Sequence, residues 1–256
     1  MRLSFVIPAY NEEHYLPGCL ESILEQIRDC RQTVEIIVVN NASTDNTRSV
    51  ALSYPGVRVV DEPCKGLTHA RQAGFAASSG SLIANVDSDC RLTPGWIPRV
   101  LAAFDANPNL AAFSGPLEYY DLTPWQRFLV RIFYLNAFVV YFVNRYILRV
   151  GSMVQGGNFV LSRAALTAIG GFNLDISFYG EDTDIARRVN AVGEVRFDLG
   201  FRMFSSARRL KREGILTMAA RYTINYLWTT FLKRPYTHSH IDIRERVQGG
   251  GAETGF

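Results

Sequence analysis

Short apolar runs alternate with helical stretches through the first ninety residues, and this alternation limits the fold more than any other feature of the 256-residue chain. Four of the runs are typical of buried strands, and they are Leu3–Ile7, Val34–Val39, Val57–Val60 and Leu82–Val86. Successive strands that are joined through helices pair in parallel, and the helices cover the sheet. The sequence therefore predicts an α/β protein with a doubly wound, mostly parallel sheet.

The rest of the chain continues the pattern with wider spacing. We predict further helices at Trp96–Phe104, after Gly180 and at Ile215–Leu232, and further strands at Ala111–Glu118, Val154–Leu161 and, as the last strand, Val195–Leu199. In the first helix, Asn11 is a good N-cap for a first turn that contains Glu12 and Glu13, although Pro17 implies an offset at the start. No glycine-rich G-x-G-x-x-G follows the first strand, which argues against a dinucleotide-binding dehydrogenase.

Two carboxylates, Asp87 and Asp89, follow the fourth apolar run directly. Open α/β sheets bind their ligands at the carboxyl ends of such strands. Residues one apart on an extended strand point to opposite faces, so both acids can reach one ion only if the strand breaks into a turn there, and Thr93–Gly95 supports that break. Two hard oxygen ligands and a nucleotide diphosphate suit Mg²⁺ or Mn²⁺, whereas a solvated turn would use the same residue types.

Charge is distributed unevenly along the chain. Residues 1–186 carry a net charge of −4 and residues 187–256 carry +7, within a total of +3. An acidic, metal-holding part followed by a basic part suits phosphates or an anionic membrane surface. We find no recognition motif for nucleic acid and exclude it as a partner.

The four cysteines lack metal-type spacing and indicate free thiols in a reducing compartment. The chain enters its first strand at Leu3, which leaves no room for a signal peptide. We therefore expect a cytoplasmic protein.

Residues 125–150 are unusually apolar and aromatic. The core of this segment, residues 132–143, is bracketed by Arg131 and Arg145 and is too short to span a bilayer. Two interpretations stay open: a helix packed on the core or on a second subunit of a homodimer, and an interfacial helix that lies on a membrane surface.

Six motifs, read together and in order, resemble the family-2 nucleotide-sugar glycosyltransferases, which are inverting enzymes with the A-type fold. The motifs are Val6–Glu13, Val39–Asp45, Lys65–Gly74, Asp87–Asp89, Gly156–Asn158 with Arg163 and Gly171–Phe172, and Gly180–Arg188. The resemblance runs from about Leu3 to about Arg209. It implies the A-type, nucleotide-diphospho-sugar transferase fold and the transfer of a sugar from a nucleotide-diphosphate sugar.

The resemblance also implies which residues bind the donor. They are Pro8, Ala9, Tyr10, Glu12, Asn40, Asn41, Lys65, Gly66, Arg71, Asp87 and Ser88. The family usually has an Asp where Asn40 stands, and its carboxylate accepts from the uracil ring N–H. An Asn offers an amide donor as well as a carbonyl acceptor, so the identity of the base stays open. Arg71 is expected to face the nucleotide or its diphosphate.

The remaining roles come from the same resemblance. Asp87 and Asp89 are implied ligands of Mg²⁺ or Mn²⁺, and the donor sugar and the acceptor are expected to lie on Gly156, Gly157 and Asn158. One acid of the pair Glu181 and Asp182 is implied as the general base, with Asp182 favoured, while Asp184 is expected to be a structural cap. The resemblance implies a glycosyltransferase domain over residues 1–210, and the composition of the rest predicts a basic amphipathic extension over 211–246 and a disordered tail over 247–256.

The region Ser205–Arg209 lacks the Q-x-x-R-W of processive family members, which favours the addition of a single sugar. We expect inverting transfer to the hydroxyl of an unknown glycan or lipid-linked acceptor, in glycan or glycolipid synthesis, in the cytoplasm or at the inner face of the cytoplasmic membrane. A polyprenyl-phosphate glycosyltransferase and a non-catalytic nucleotide-sugar-binding module are the alternatives. A sugar-phosphate nucleotidyltransferase is disfavoured, because Pro8–Asn11 is not a glycine-rich signature.

Overall fold

The computed structural model describes residues 2–28, 33–147, 152–176, 179–232 and 236–237. Ten strands lie within these ranges: β1 (Leu3–Ala9), β2 (Val34–Asn40), β3 (Val57–Asp61), β4 (Leu82–Val86), β5 (Cys90–Leu92), β6 (Leu110–Ser114), β7 (Leu117–Tyr119), β8 (Asn158–Ser162), β9 (Glu194–Phe197) and β10 (Met203–Ser205). Seven of them form the main sheet in the order β3-β2-β1-β4-β8-β6-β9, and the other three form a small sheet in the order β5-β10-β7.

The main sheet is mostly parallel. Strand β1 pairs in parallel with β2 and β4, β2 pairs in parallel with β3, and β6 with β9, whereas β8 runs antiparallel to both of its neighbours. The predicted α/β architecture with a mostly parallel sheet is therefore confirmed.

Helices cover both faces of the sheet. The described helices are α1 (Leu16–Ile27), α2 (Thr47–Leu52), α3 (Leu67–Ala77), α4 (Trp96–Ala106), α5 (Pro124–Phe142), α6 (Arg163–Ala168), α7 (Glu181–Val189), α8 (Arg208–Glu213) and α9 (Ile215–Leu232). Because side chains alternate along a strand, Phe5 and Ile7 of β1 enter a core with α1, α2 and α4, while Val6 enters a second core with α3, α6 and α7. Two cores on one sheet are the doubly wound arrangement.

The first helix starts later than we predicted, so Asn11 is not its N-cap. Helix α1 begins at Leu16 with Pro17 in its first turn, the position where proline costs no hydrogen bond. Asn11 takes a left-handed backbone with φ of 53°, and its side-chain oxygen accepts from the Thr44 N–H at 2.8 Å. Glu12 is consequently a loop residue, and it is only 1% exposed.

Two predicted strands are also corrected. The stretch Ala111–Glu118 is split into β6 and β7, because the backbone around Gly115 passes directly against the Phe201 carbonyl, where a side chain would not fit. The stretch Val154–Leu161 becomes a strand only at Asn158, after a turn closed by the bond from the Asn158 N–H to the Gln155 carbonyl. The chain also adds a strand, β10, after the one predicted to be the last.

The aromatic segment forms one long helix rather than a short apolar stretch. Helix α5 is capped by Thr123 and Gln126, which exchange hydrogen bonds, and a π-helical turn (Val143–Ile147) continues it. Residues Pro124–Arg145 form a 22-residue helix that is long and apolar enough to cross a membrane by length and composition, so the apolar helix extends well beyond the residues 132–143 that we judged too short. The predicted tail 247–256 lies outside the described residues.

Candidate active site

A cavity of about 400 Å³ opens at the carboxyl ends of β1, β2 and β4. It lies where the strand order reverses between neighbouring parallel strands, which is the usual ligand position in open α/β sheets. Of the residues that we predicted from the sequence, fourteen line it: Pro8, Ala9, Tyr10, Glu12, Asn41, Lys65, Gly66, Arg71, Asp87, Ser88, Asp89, Gly156, Glu181 and Asp182. Asn40, Gly157 and Asn158 do not.

Arg71 is the central cation of the site. It projects from α3 with no exposed surface, and its Nη2 lies 3.1 Å from Asp87 Oδ1 while its Nη1 forms an ion pair with the Glu181 carboxylate. Its guanidinium carbon lies 5.0 Å from the centre of the Phe159 ring. Burial disfavours the guanidinium charge, but the two carboxylates outweigh it and raise the pKa of Arg71. The site therefore holds a permanent positive charge between a metal-motif acid and the Glu-Asp pair.

The Glu-Asp pair opens helix α7 as the sequence predicts, after Gly180 with φ of +83°. Glu181 is buried, and burial raises its pKa to about 7 even though Arg71 opposes that rise. Asp182 is less buried than Glu181, and its Oδ1 accepts from the Thr183 N–H at 2.8 Å. Burial also raises the pKa of Asp182, against the opposing effects of the Thr183 N–H and of Arg71. Both carboxyls thus hold a proton more readily than an ordinary surface acid.

Asp184, the third acid of this turn, does not line the cavity. Its carboxylate lies 2.8 Å from Arg187 and 3.6 Å from Arg188, one turn further along the same helix. It serves as an ion-pair partner inside the helix, and we therefore correct the prediction that it is a cap.

Asp87 and Asp89 occupy a turn, as their convergence requires. The Cys90 N–H donates to the Asp87 carbonyl at 2.9 Å, which reverses the backbone directly after β4. Gly157, with φ of +80°, lies against the Asp87 side chain, since a Cβ at residue 157 would be 2.7 Å from Oδ2. Gly157 does not line the cavity, but its missing side chain leaves the space that this carboxylate uses.

Arg208 is a member of the site that sequence reasoning missed. Its Nε lies 3.0 Å from Asp89 Oδ2, its Nη2 lies 2.5 Å from Glu12 Oε1, and its guanidinium stands 4.4 Å from the centre of the Tyr15 ring. Burial alone would lower the pKa of Arg208, but the carboxylates of Asp89 and Glu12 outweigh this effect and raise it. The available signal was the basic cluster at residues 208–212, which we counted only as part of the basic C-terminal region. Helices α8 and α9 also contribute Arg209, Leu210, Met218 and Tyr222 to the cavity wall.

The acids of this cavity fit a divalent cation only if a substrate supplies some of its ligands. Within the described residues, no group of three or more His, Cys, Asp and Glu side chains is placed to hold a metal ion. Asp87 and Asp89 supply hard oxygen ligands, and one oxygen of each already faces an arginine. An ion bound here needs further oxygen ligands from a substrate, and a diphosphate provides them.

The two asparagines after β2 differ in their roles. The Asn41 amide donates to the Glu62 and Cys64 carbonyls, and its oxygen accepts from the Gly66 N–H, so it holds the loop before α3. The Asn40 amide donates to Asp61 Oδ1 at 2.8 Å. Its carbonyl oxygen is buried without a hydrogen-bond partner in the described part of the chain.

Asn158 is structural, which corrects its sequence-based assignment to the sugar site. Its Oδ1 accepts from the Trp96 indole N–H, and its Nδ2 donates to the Gly115 and Phe201 carbonyls, each at 3.0 Å. The residue has no exposed surface, and these three bonds leave its side chain directed into the core.

On the opposite wall of the cavity, Lys65 stands over the Tyr10 ring, with Nζ 3.7 Å from the ring centre. A cation over an aromatic face leaves the other face of the ring as a flat surface. Gly66 follows with φ of +156°, a backbone that favours glycine. The geometry of this wall suits a planar ring next to a phosphate.

Comparisons with known proteins agree with this arrangement. The model of Glycosyl transferase family 2 matches residues 4–170. An undecaprenyl-phosphate 4-deoxy-4-formamido-L-arabinose transferase of Serratia proteamaculans is 35% identical over 106 residues, covering 39% of this chain and 32% of that protein. Glycosyltransferase AglE of Haloferax volcanii is 30% identical over 102 residues, covering 38% of this chain and 33% of that protein. The matched segments thus span about a third of these two relatives.

The fold has solved counterparts. The mannosyltransferase PcManGT from Pyrobaculum calidifontis, in complex with GDP-Man and Mn²⁺, superposes with a TM-score of 0.67 at 20% identity, covering 90% of this chain and 63% of that one. The predicted A-type glycosyltransferase fold is therefore confirmed. Since the family model covers most of the chain, from the first strand to the turn after α6, the protein belongs to glycosyl transferase family 2.

Proposed function

We propose that this protein transfers a single sugar from a nucleotide-diphosphate sugar to an acceptor hydroxyl, with inversion at the anomeric carbon and with Mg²⁺ or Mn²⁺ as cofactor. The observation that carries the proposal is the cluster of Arg71, Asp87 and Glu181 beside Asp182 in one cavity, in which Arg71 and Glu181 are buried. It brings a cation and a metal-binding acid next to a pair of carboxyls that hold a proton readily. This is the set that a displacement with an anionic leaving group requires.

The donor nucleotide lies along the carboxyl ends of β1 and β2. Asn40 ends β2 without lining the cavity: its buried oxygen has no hydrogen-bond partner in the described part of the chain, and Asp61 holds its amide in place. The backbone of Pro8 and Ala9 and the Tyr10 ring form the wall of the nucleoside subsite.

The diphosphate lies near Arg71, Lys65 and the turn Asp87–Asp89. A bound divalent cation, held by the two aspartates, would neutralise the charge of the leaving nucleotide. Arg71 adds a fixed charge that costs no reorganisation, because its carboxylate partners already orient it. The departing oxygen leaves with the electron pair of the broken glycosidic bond.

Asp182 is the group that we assign as the general base. One of its oxygens is held by the Thr183 N–H, and its carboxylate lines the cavity near Gly156. Glu181 is instead engaged by Arg71. The acceptor oxygen attacks the anomeric carbon, its proton passes to Asp182, and attack from the side opposite the diphosphate inverts the centre.

A second candidate is transfer to a polyprenyl phosphate. The Serratia relative, named as an undecaprenyl-phosphate transferase, favours it, as do the arginines of α8 at the cavity wall. A phosphate oxygen arrives ionised and needs no base. Under this alternative, Asp182→Asn transfers sugar at a near-normal rate. A third possibility, a binding module without activity, is disfavoured because both acid pairs line the cavity.

The test is a panel of UDP-, GDP- and dTDP-sugars, scored for binding by calorimetry and for donor hydrolysis, with Mn²⁺, with Mg²⁺ and with excess chelator. We expect one base to be preferred and both signals to require metal. Asp89→Asn should abolish metal-dependent hydrolysis, whereas Asp105→Asn, an exposed acid on α4, is the matched control and should change neither signal. No binding of any nucleotide sugar overturns the function, and undiminished hydrolysis in chelator overturns the metal.

A further inference from the structure

Helix α5 presents an apolar face to solvent along its whole length. Six large apolar side chains on this face are between 40% and 65% exposed: Trp125, Phe128, Ile132, Leu135, Val139 and Phe142. Their spacing of three and four residues places them on a single stripe. Exposed apolar residues are common singly, but a continuous stripe of this length marks an interaction surface.

The opposite face ties α5 to the domain. The Tyr134 hydroxyl donates to Gln155 Oε1 at 2.9 Å and accepts from the Leu117 N–H at 3.2 Å, and the Tyr141 hydroxyl donates to the Val195 carbonyl at 3.2 Å. A helix that crossed a bilayer would break these contacts. Helix α5 therefore lies flat on the domain, although its length and composition suffice for a span.

Helix α9 adds a second exposed apolar set. Its members, between 38% and 81% exposed, are Leu216, Ile224, Leu227, Trp228, Phe231 and Leu232. The Asn144 amide, just beyond the end of α5, donates to the Tyr226 hydroxyl at 2.8 Å. This bond places the end of α5 beside the middle of α9.

The charges around the exposed faces of α5 and α9 favour one kind of partner over another. Residues 124–147 and 208–232 contain eight Arg or Lys and a single acid, Glu213. Acids from other elements pair with some of these cations, among them Glu118, Glu194 and Asp121, but the cations outnumber all the acids that pair with them, so the surface stays net positive. A second copy packed on the α5 stripe would bring Arg131, which is 66% exposed, close to its own equivalent, and Glu118, the acid that pairs with Arg131, is already shared with Arg202. An anionic lipid surface accepts both the apolar stripe and the basic residues around it.

We propose that α5 and α9 form a docking surface that lies in the plane of an anionic lipid bilayer. Trp125 at the start of α5 suits the boundary between headgroups and acyl chains. Because α9 also supplies Met218 and Tyr222 to the cavity wall, docking brings the cavity to the lipid surface. This inference concerns location and goes beyond the transfer reaction. If the proposed function holds as well, the acceptor reaches the cavity from the membrane.

The test is flotation of the full chain with vesicles of phosphatidylcholine alone and of phosphatidylcholine containing about one third phosphatidylglycerol. We expect binding to the anionic vesicles at low salt, reduced by high salt because the basic residues contribute on the order of fivefold each. The variant Phe128→Glu/Val139→Glu should lose at least about tenfold in partition coefficient, since two exposed apolar side chains that would contact the acyl chains become charged. Leu52→Glu, 54% exposed on α2, is the matched control and should bind like the wild type.

Two further measurements make the result decisive. Donor hydrolysis in detergent-free buffer should be the same in the double variant and the wild type, which separates failure to dock from failure of the catalytic site. Sedimentation should show a monomer. Absence of binding to anionic vesicles at low salt overturns the proposal, and so does a dimer that the double variant dissociates, which would assign the stripe to a second copy.

Discussion

Replacing Asn158 with Ala distinguishes a structural from a sugar-binding role for this residue. The substitution removes one acceptor and two donor bonds, each at 3.0 Å, and leaves the Trp96 indole N–H and two carbonyls without partners in the core. Each of the three buried groups that lose their partner costs about 1–2 kcal/mol, so the free energy of unfolding should fall by about 3–6 kcal/mol. This exceeds what a surface substitution produces by several-fold.

The assay is urea denaturation followed by circular dichroism, together with the KM for donor measured below the unfolding transition. Asn136→Ala, in which the lost amide is exposed and bonds only within α5, is the matched control and should change the free energy of unfolding by less than about 0.5 kcal/mol. In folded Asn158→Ala protein, the KM for donor should stay within about twofold of wild type, because the side chain does not reach the cavity. A loss of stability below about 1 kcal/mol combined with a clear rise in KM would refute this reasoning and restore the sugar-binding assignment.

Three further predictions concern the cavity. Asp182→Asn should keep donor affinity and lose on the order of 10²–10⁴-fold in transfer rate, more than Glu181→Gln loses. Because burial raises the pKa of Asp182, the wild-type rate should begin to fall, as pH decreases, above the usual titration range of an aspartate, and a pH profile without that fall would contradict the assignment. Arg208→Ala should tighten Mn²⁺ binding measured by calorimetry with donor present, since it frees one oxygen of Asp89; unchanged or weaker binding would mean that the guanidinium does not compete with the ion. If Asp87 binds the metal as proposed, Gly157→Ala should weaken metal-dependent hydrolysis at least tenfold with modest loss of stability, because the new Cβ would displace the Asp87 carboxylate beside it. Wild-type metal dependence would show that the loop adjusts.

The strands and helices that depend on short sequence patterns could be predicted from the sequence. The alternation of apolar runs and helical stretches placed the first four strands within one or two residues of their observed ends. The acids at 87 and 89 follow a strand, and the acids at 181 and 182 follow Gly180 at a helix start, so their positions depend on backbone patterns only a few residues long. That is why the fold class and most of the cavity lining were accessible without coordinates.

The boundaries that we misplaced depend on distant neighbours. The break between β6 and β7 occurs where the Phe201 carbonyl packs against Gly115, and no local pattern contains that contact. Asn158 follows two glycines and resembles a ligand-binding residue in sequence, yet its three partners come from α4 and from loops before β7 and β10. The length of α5 was underestimated because charged residues were taken as its ends, whereas hydrogen bonds between Thr123 and Gln126 set its start.

The sequence by itself determined the sheet, the order of its helices and which acids stand at the carboxyl ends of strands, because burial periodicity and capping act between near neighbours. Tertiary structure alone decided how those acids are paired. Arg208 meets Asp89 across 119 residues and Glu12 across 196, and Arg71 joins Asp87 to Glu181. Which carboxylate a guanidinium pairs with depends on which backbone segments bring the two groups within about 3 Å of each other. The Arg71 ion pair opposes the rise in the pKa of Glu181 that burial causes, and it engages Glu181 rather than Asp182. This pairing is fixed only when all the elements pack together.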